Sequence, residues 1–275
     1  MKRDPLDDDD VRDSRRKLLA GLAASAAGVM VGCARAVAAP SAPPVQAADG
    51  RRRQWGLVID LDRCARCAGC VVACQQENNV APAGPRVAAR TRPIHWMDFL
   101  PPAPGSFAAT PIPCMHCQDP PCVKVCPVGA TYQTDEGITA QIWDRCIGCR
   151  YCMAACPYAR RYFNWSEPSW PGEDPSSLNP DVAPRPRGVV EKCTLCHHRI
   201  RAALERARLD EEPLTDEALR RLPACAQSCP TQAITFGDLA EPTSEVARLA
   251  ASPRAMRLLP EAGTRPKVIY LREST

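Results

Sequence analysis

The chain has 275 residues, of which only 5% are aromatic, together with 29 Pro, 17 Cys and a formal charge of +4. That length allows one or two domains, but so few aromatics and so many prolines exclude a fold held by a large packed core alone. The weak charge gives no footing for a nucleic-acid role. Sixteen of the cysteines fall into four groups of four, a regularity that separates the chain from short secreted disulfide scaffolds.

Residues 1–38 read as a twin-arginine export signal. Asp13-Ser14-Arg15-Arg16-Lys17-Leu18-Leu19 places paired arginines before a mild apolar run from Leu18 to Gly32. A membrane span needs about 20 apolar residues, and this run is shorter. The twin-arginine route exports proteins already folded around cofactors. The bland alternative is a disordered tail with a chance Arg-Arg, and the position and flanking pattern favour the signal. The expected location is therefore the periplasm, peripheral on the inner membrane, with the Tat translocase as partner during export. Two processing sites compete. Ala36-Val37-Ala38 suits ordinary cleavage and is slightly favoured. Met30-Val31-Gly32-Cys33 resembles a lipobox, which would lipidate Cys33, the one cysteine outside the four groups.

Residues 39–53 are Ala/Pro-rich and then basic, a linker. Gln54-Trp55-Gly56-Leu57-Val58-Ile59-Asp60 predicts a strand. It feeds the first cysteine run, Cys64, Cys67, Cys70 and Cys74, which is followed by Gln75 where a proline is usual. Residues 81–113 are irregular and Pro-rich, with a short strand expected around Arg92–Met97. His95 in that stretch reads as structural or partner-facing rather than as a ligand.

The second run is Cys114, Cys117, Cys122 and Cys126-Pro127. Ala130-Thr131-Tyr132 and Gly137 to Trp143 then predict a β-hairpin around Asp135-Glu136-Gly137. Nineteen residues separate Cys126 from the third run, Cys146, Cys149, Cys152 and Cys156-Pro157. This is the C-x2-C-x2-C-x3-C-P pattern that wraps a cubane iron–sulfur cluster and lends its fourth cysteine to a neighbouring cluster. Arg160-Arg161-Tyr162-Phe163-Asn164-Trp165 reads as core covering the clusters, and residues 166–188 as a long surface loop.

The fourth group is Cys193 and Cys196, then 28 residues, then Cys225 and Cys229-Pro230. Residues 199–222 read as a helical insertion with Ile200, Leu204, Ala207 and Leu219 inward. Taken alone, Cys193-x2-Cys196 with His197-His198 would suit zinc. Against zinc, Cys229-Pro230-Thr231-Gln232-Ala233 repeats Cys126-Pro127-Val128-Gly129-Ala130, and Asp62-Arg63-Cys64 repeats at Asp144-Arg145-Cys146. The tail has a helical signal at Ser244–Ala250 and a strand signal at Lys267–Leu271.

These repeats predict an α+β fold, a duplicated bacterial two-cluster ferredoxin with long loops and a helical insertion. A tandem domain over 54–240 would bind four [4Fe–4S] clusters, with an inner unit at about 110–165 inserted in an outer one, and residues 241–275 as C-terminal tail. The swapped fourth cysteine then assigns Cys114, Cys117, Cys122 and Cys156 to one cluster, and Cys146, Cys149, Cys152 and Cys126 to the next. Cys64, Cys67, Cys70 and Cys229 would hold the third, and Cys193, Cys196, Cys225 and Cys74 the fourth. Without residues 1–38, which carry seven Lys/Arg and six Asp/Glu, the charge is +3. Sixteen thiolates and four oxidised cores bring the loaded protein to about −5. Arg63, Arg145, Arg150 and Lys192 are either cluster-tuning charges or solvated ones, evenly weighed. No nucleotide loop or nucleophile motif appears, so no catalytic residue is assigned and the chain reads as an electron conduit between other proteins.

Cys114-Met115-His116-Cys117, the Cys146–Tyr158 run and Lys192-Cys193-Thr194-Leu195-Cys196 resemble one family over about residues 54–240. It is the iron–sulfur subunit family of the dimethyl sulfoxide, polysulfide and tetrathionate reductase complexes, including NrfC-like proteins. The resemblance implies a membrane partner of the NrfD/polysulfide-reductase type that handles quinone. It implies, on the other side, a molybdopterin catalytic subunit or a multihaem cytochrome. An iron–sulfur subunit of a respiratory complex lacking molybdenum is the alternative. A zinc-rich structural protein and a stand-alone enzyme are the rivals of other classes.

Overall fold

The structure, a computed structural model, describes residues 52–82, 92–101, 109–170, 172 and 174–274. The expected export signal, both candidate processing sites, Cys33 and the expected linker through residue 51 lie outside those residues. In chain order the strands and helices are β1 (Trp55–Asp60), α1 (Gly69–Glu77), β2 (Asp98–Leu100), β3 (Thr110–Ile112) and α2 (Pro121–Lys124). Next come β4 (Thr131–Gln133), β5 (Thr139–Gln141), α3 (Tyr151–Ala154), β6 (Tyr162–Phe163) and β7 (Val190–Glu191). The chain continues through α4 (His197–Leu209), α5 (Asp216–Arg220), α6 (Ala224–Gln227) and β8 (Ile234–Asp238), and finishes with α7 (Glu245–Ala250), β9 (Ala255–Met256) and β10 (Val268–Leu271).

The main sheet runs β8-β1-β10-β9. β1 pairs antiparallel with β8, setting Leu57 opposite Phe236, and parallel with β10, setting Ile59 opposite Tyr270. Side chains alternate across a strand, and here both faces are covered. Trp55, Leu57 and Ile59 pack with Ile234, Phe236, Val268 and Tyr270 in the core that also holds buried cysteines. Val58 faces the other way, with Ile269, Leu271 and Val246 of α7. That two-sided burial is why β1 reads as an unbroken apolar run rather than an alternating one. The three remaining strand pairs, β2–β3, β4–β5 and β6–β7, are two-stranded ribbons. β4 and β5 form the expected hairpin, with Tyr132 opposite Ala140.

Four sequence expectations give way to different arrangements. Arg92–His95 are not in a strand; the strand begins at Asp98, beyond a bend at Trp96 and Met97. Both of those side chains are fully buried, and the bend turns them inward. Residues 241–275, set apart as a tail, supply β10 to the middle of the main sheet. The segment before it is stitched to the second cysteine run: Gln118 N donates to Arg265 O, Asp119 N to Thr264 O and Lys267 N to Met115 O. The 166–188 loop is exposed over most of its length, yet Val182 and Arg185 are buried. Arg185 reaches Glu191 at 2.5 Å and the carbonyls of Asn78 and Asn79 at 2.6 Å each, and lies 4.7 Å over the Trp96 ring. In the 160–165 segment, Trp165 is 46% exposed while Arg160, Arg161 and Tyr162 are buried.

Candidate metal centres

Short helices deliver the cysteines. α1 carries Cys70 and Cys74, α2 carries Cys122, α3 carries Cys152 and α6 carries Cys225. α1 packs on α6, and α2 on α3, so the first run meets the fourth and the second meets the third. Each C-x2-C opens with a left-handed residue just before its second cysteine: Arg66 (φ 55°), His116 (41°), Gly148 (67°) and Leu195 (60°). Only glycine adopts this region freely, so three of the four turns hold a non-glycine residue against local preference.

The Cys-Pro endings share a second turn. Gly129, Ala159 and Gln232, each three residues past its cysteine, are left-handed at φ 61°, 50° and 51°. The turn points successive N–H groups at the sulfur, an anion-binding nest. Ala233 N donates to Cys229 Sγ at 3.2 Å, and Thr131 N to Cys126 Sγ at 3.4 Å. At Cys126 burial raises the thiol pKa, but the N–H groups of Thr131, Val128 and Ala130 outweigh it and hold the pKa below its ordinary value. Where Gln75 replaces proline, nothing ends the helix, and α1 runs on to Glu77 while α2, α3 and α6 stop after four residues. The extra turn brings Asn78 Nδ2 to 3.7 Å from both Cys74 Sγ and Cys196 Sγ.

Three of the four expected sets gather across runs, and among the described residues no cross-run relation joins Cys126 to Cys146, Cys149 or Cys152. Burial pushes Cys70 up to about 12, with Cys64, Cys229 and Cys67 adding to the rise. Those same four cysteines line one cavity. Burial raises Cys74 well above its ordinary value, with Cys193, Cys196 and Cys225 adding. Burial likewise pushes Cys117 up to about 12, helped by Cys114, Cys122 and Cys156. Cys152 is raised by burial and then by Cys122 and Cys146, against the pull of Arg161. Between these sets, Cys70 adds to the rise at Cys225, Cys114 to that at Cys193 and Cys122 to that at Cys152, each after burial as the largest cause. Cys67 and Cys149 are the two exposed members of the sixteen; the other fourteen are buried or partly buried.

Buried thiols that raise one another cannot all ionise without a cationic core among them. A single tetrahedral ion needs its thiolates about 2.3 Å from one point. Among the described residues, no group of three or more His, Cys, Asp or Glu is arranged to hold one metal ion. The four thiols of Cys64, Cys67, Cys70 and Cys229 around one cavity, with a backbone N–H aimed at the Cys229 sulfur, fit a multi-iron cluster.

Several charged groups line these centres. Of the weighed cations, Arg63, Arg145 and Arg150 are exposed. Arg150 lies 5.2 Å from the Phe163 ring centre and 4.9 Å from that of Trp165. Lys192 is 1% exposed, and its Nζ donates to Cys193 O at 2.6 Å. Arg161, not singled out in the sequence, is 3% exposed and donates to Cys122 Sγ at 3.1 Å. The signal for it was the doubled arginine inside an aromatic stretch five residues past Cys156. His198 bonds Glu77 at 2.6 Å, so it serves an ion pair rather than a metal, and Arg199 bonds the same carboxylate. His95 sits 3.6 Å from Asp98. No helix among the described residues is long and apolar enough to cross a membrane.

The model of the 4Fe–4S dicluster domain matches residues 106–171, the span holding the second and third runs. The iron–sulfur cluster-binding subunit of menaquinone reductase from Nitratidesulfovibrio vulgaris is 48% identical over 228 residues, covering 79% of this chain and 88% of that protein. The arsenate respiratory reductase iron–sulfur subunit of a Shewanella species is 36% identical, over 79% of this chain and 95% of its own. The B subunit of polysulfide reductase from Wolinella succinogenes is 32% identical, over 80% of this chain and 94% of its own. With the cysteine centres built as described, the chain belongs to the family of iron–sulfur electron-transfer subunits of the dimethyl sulfoxide, polysulfide and tetrathionate reductase complexes.

Proposed function

We propose that the chain relays single electrons through four [4Fe–4S] clusters between a membrane quinone-handling subunit and a periplasmic oxidoreductase, of molybdopterin type. A bound cluster supplies one-electron storage at a potential set by its surroundings. Cys64, Cys67, Cys70 and Cys229 hold the first; Cys74, Cys193, Cys196 and Cys225 the second. Cys114, Cys117, Cys122 and Cys156 hold the third; Cys126, Cys146, Cys149 and Cys152 the fourth. The fold is a duplicated two-cluster ferredoxin, and the four matching left-handed turns and three matching Cys-Pro nests support that duplication.

The observation that carries the reading is the pairing of helices: α1 packs on α6 and α2 on α3, which brings the first run to the fourth and the second to the third. The influence of Cys70 on Cys225, of Cys114 on Cys193 and of Cys122 on Cys152 supports an order of sites from first to last. The exposed cysteines belong to the two ends: Cys67 to the first site and Cys149 to the last. Electrons enter and leave there. The Cys149 end also exposes Ile147, Tyr151 and Trp165, an apolar rim suited to a protein partner. The relatives' names place them in menaquinone, arsenate and polysulfide reductases, which supports a place in a quinone-linked reductase complex. Export by the twin-arginine route rests on Arg15-Arg16 and the apolar run behind them. Replacing both arginines with lysine is expected to leave the protein in the cytoplasm with its clusters intact.

A cysteine-to-serine series tests the assignment. Cys156→Ser perturbs the paramagnetic signal lost in Cys117→Ser and leaves that lost in Cys149→Ser unchanged. Perturbation of the Cys149 signal by Cys156→Ser contradicts the swapped ligand.

A further inference from the structure

Three cations are buried in this protein with no carboxylate to balance them among the described residues. Arg161 donates to Cys122 Sγ at 3.1 Å, Thr131 Oγ1 at 3.2 Å and Gln141 Oε1 at 3.0 Å. Lys267, 5% exposed, donates to Gly137 O and lies 3.5 Å from Gln54 Oε1. Lys192 donates to Cys193 O. Their neighbours show the usual alternative: Arg160 pairs with Asp98 at 3.0 Å, and Arg185 with Glu191 at 2.5 Å. A buried cation normally takes an anionic partner, because desolvation without one is costly.

Two of these unbalanced charges meet at the second cysteine run. Arg161 bonds the Cys122 sulfur; Lys267 N donates to Met115 O, between Cys114 and Cys117, and its Nζ bonds Gly137 O in the hairpin whose Thr139 N donates to His116 Nδ1. Lys267 acts on Cys117 and Cys114. Arg161 acts on Cys122, Cys152 and Cys114, so it lies between the third site and the fourth. Lys192 acts on Cys193, on the side of the second site. At the first site, the leading influences on Cys70 are burial and the neighbouring thiols, with no cation among them. At the second site Lys192 acts on Cys193 and Arg199 on Cys196, but Arg199 is balanced by Glu77 and Lys192 bonds a carbonyl rather than a sulfur.

Reduction adds a negative charge, so an adjacent fixed cation in a dry interior favours the reduced form. We propose that Arg161 and Lys267 supply the missing counter-charge to the site of Cys114, Cys117, Cys122 and Cys156, and make it the most electron-attracting of the four. This rests on the four-site relay above. The relay is then not a steady slope from end to end: an electron entering at either exposed end settles at this interior site before moving on. Arg161 and Lys267 are tuning residues here, not ligands.

Redox titration of the full-length, cluster-loaded chain, followed by electron paramagnetic resonance, tests this. Cys117→Ser identifies the site's signal, which is expected to have the highest midpoint. Arg161→Gln and Lys267→Gln each lower that midpoint and leave the signal lost in Cys67→Ser in place. Their combination lowers it further, and Arg161→Lys, which keeps the charge, retains most of the parent value. Equal iron and sulfide content across the variants shows that the fold is kept. A different site with the highest midpoint, or variants that move no signal or all four alike, overturns the proposal. Fewer than four signals in the parent chain would instead overturn the four-site reading.

Discussion

At Gln75 one residue decides how far a helix runs. The other three groups end in Cys-Pro, where the missing N–H and the ring stop the helix. Here α1 continues and presents Glu77 and Asn78 to α4 and to Cys196. Gln75→Pro is expected to cost about 3 kcal/mol and to lower the iron content, which thermal unfolding and iron analysis measure together. Glu77 adds a pH dependence with a definite sign. Burial raises its carboxyl pKa, but Arg199 and His198 outweigh that and hold it below the ordinary value. A depressed carboxyl stabilises the fold above its unfolded pKa of about 4.3, and that contribution is lost as pH falls through the folded value. The parent chain should therefore release iron more slowly than Glu77→Gln at neutral pH. The difference should shrink as the solution is acidified through the carboxylate range, read by loss of visible absorbance.

At the scale of elements, β10 explains why the C-terminal stretch cannot be an accessory. Gly56 lies where β1 crosses the segment entering β10: a Cβ there would sit 2.7 Å from Lys267 O and closer still to Leu239. Gly56→Ala should push β1 off β10 and destabilise the chain by about 1–3 kcal/mol, measured by chemical denaturation. β1, β10, the hairpin of β4 and β5, and the α4 and α7 helices were legible in the sequence. Each is a local pattern of apolar period or turn residues. The parallel pairing of β1 with β10 was not legible, because register between strands so far apart in the chain leaves no local mark. Nor was the strand boundary at Asp98, since Trp96 and Met97 are apolar enough for a strand but are used as a buried bend.

For the whole molecule, cysteine spacing pointed to the iron–sulfur family to which the chain belongs, because ligand spacing is set by the cluster and not by the fold around it. The cross-run ligand sets are a proposal that the packing of α1 on α6 and of α2 on α3 supports. The charges between sites were not legible in spacing. Arg161, Arg185 and Lys267 find their acceptors up to 130 residues away, and the local sequence around Arg185 reads as solvent-exposed loop. Packing that depends on such distant carbonyls becomes visible only once the sheet and the paired helices are in place.

The relay stands or falls on the cluster content of the full-length chain. Iron and acid-labile sulfide analysis of the full-length protein, with paramagnetic resonance of the same reduced sample, measures it directly. Four [4Fe–4S] sites require roughly 16 iron and 16 sulfide per chain and four signals, with magnetic interaction between neighbours in the row. Zinc in place of iron, or iron and sulfide at about half that level with two signals, would contradict the account.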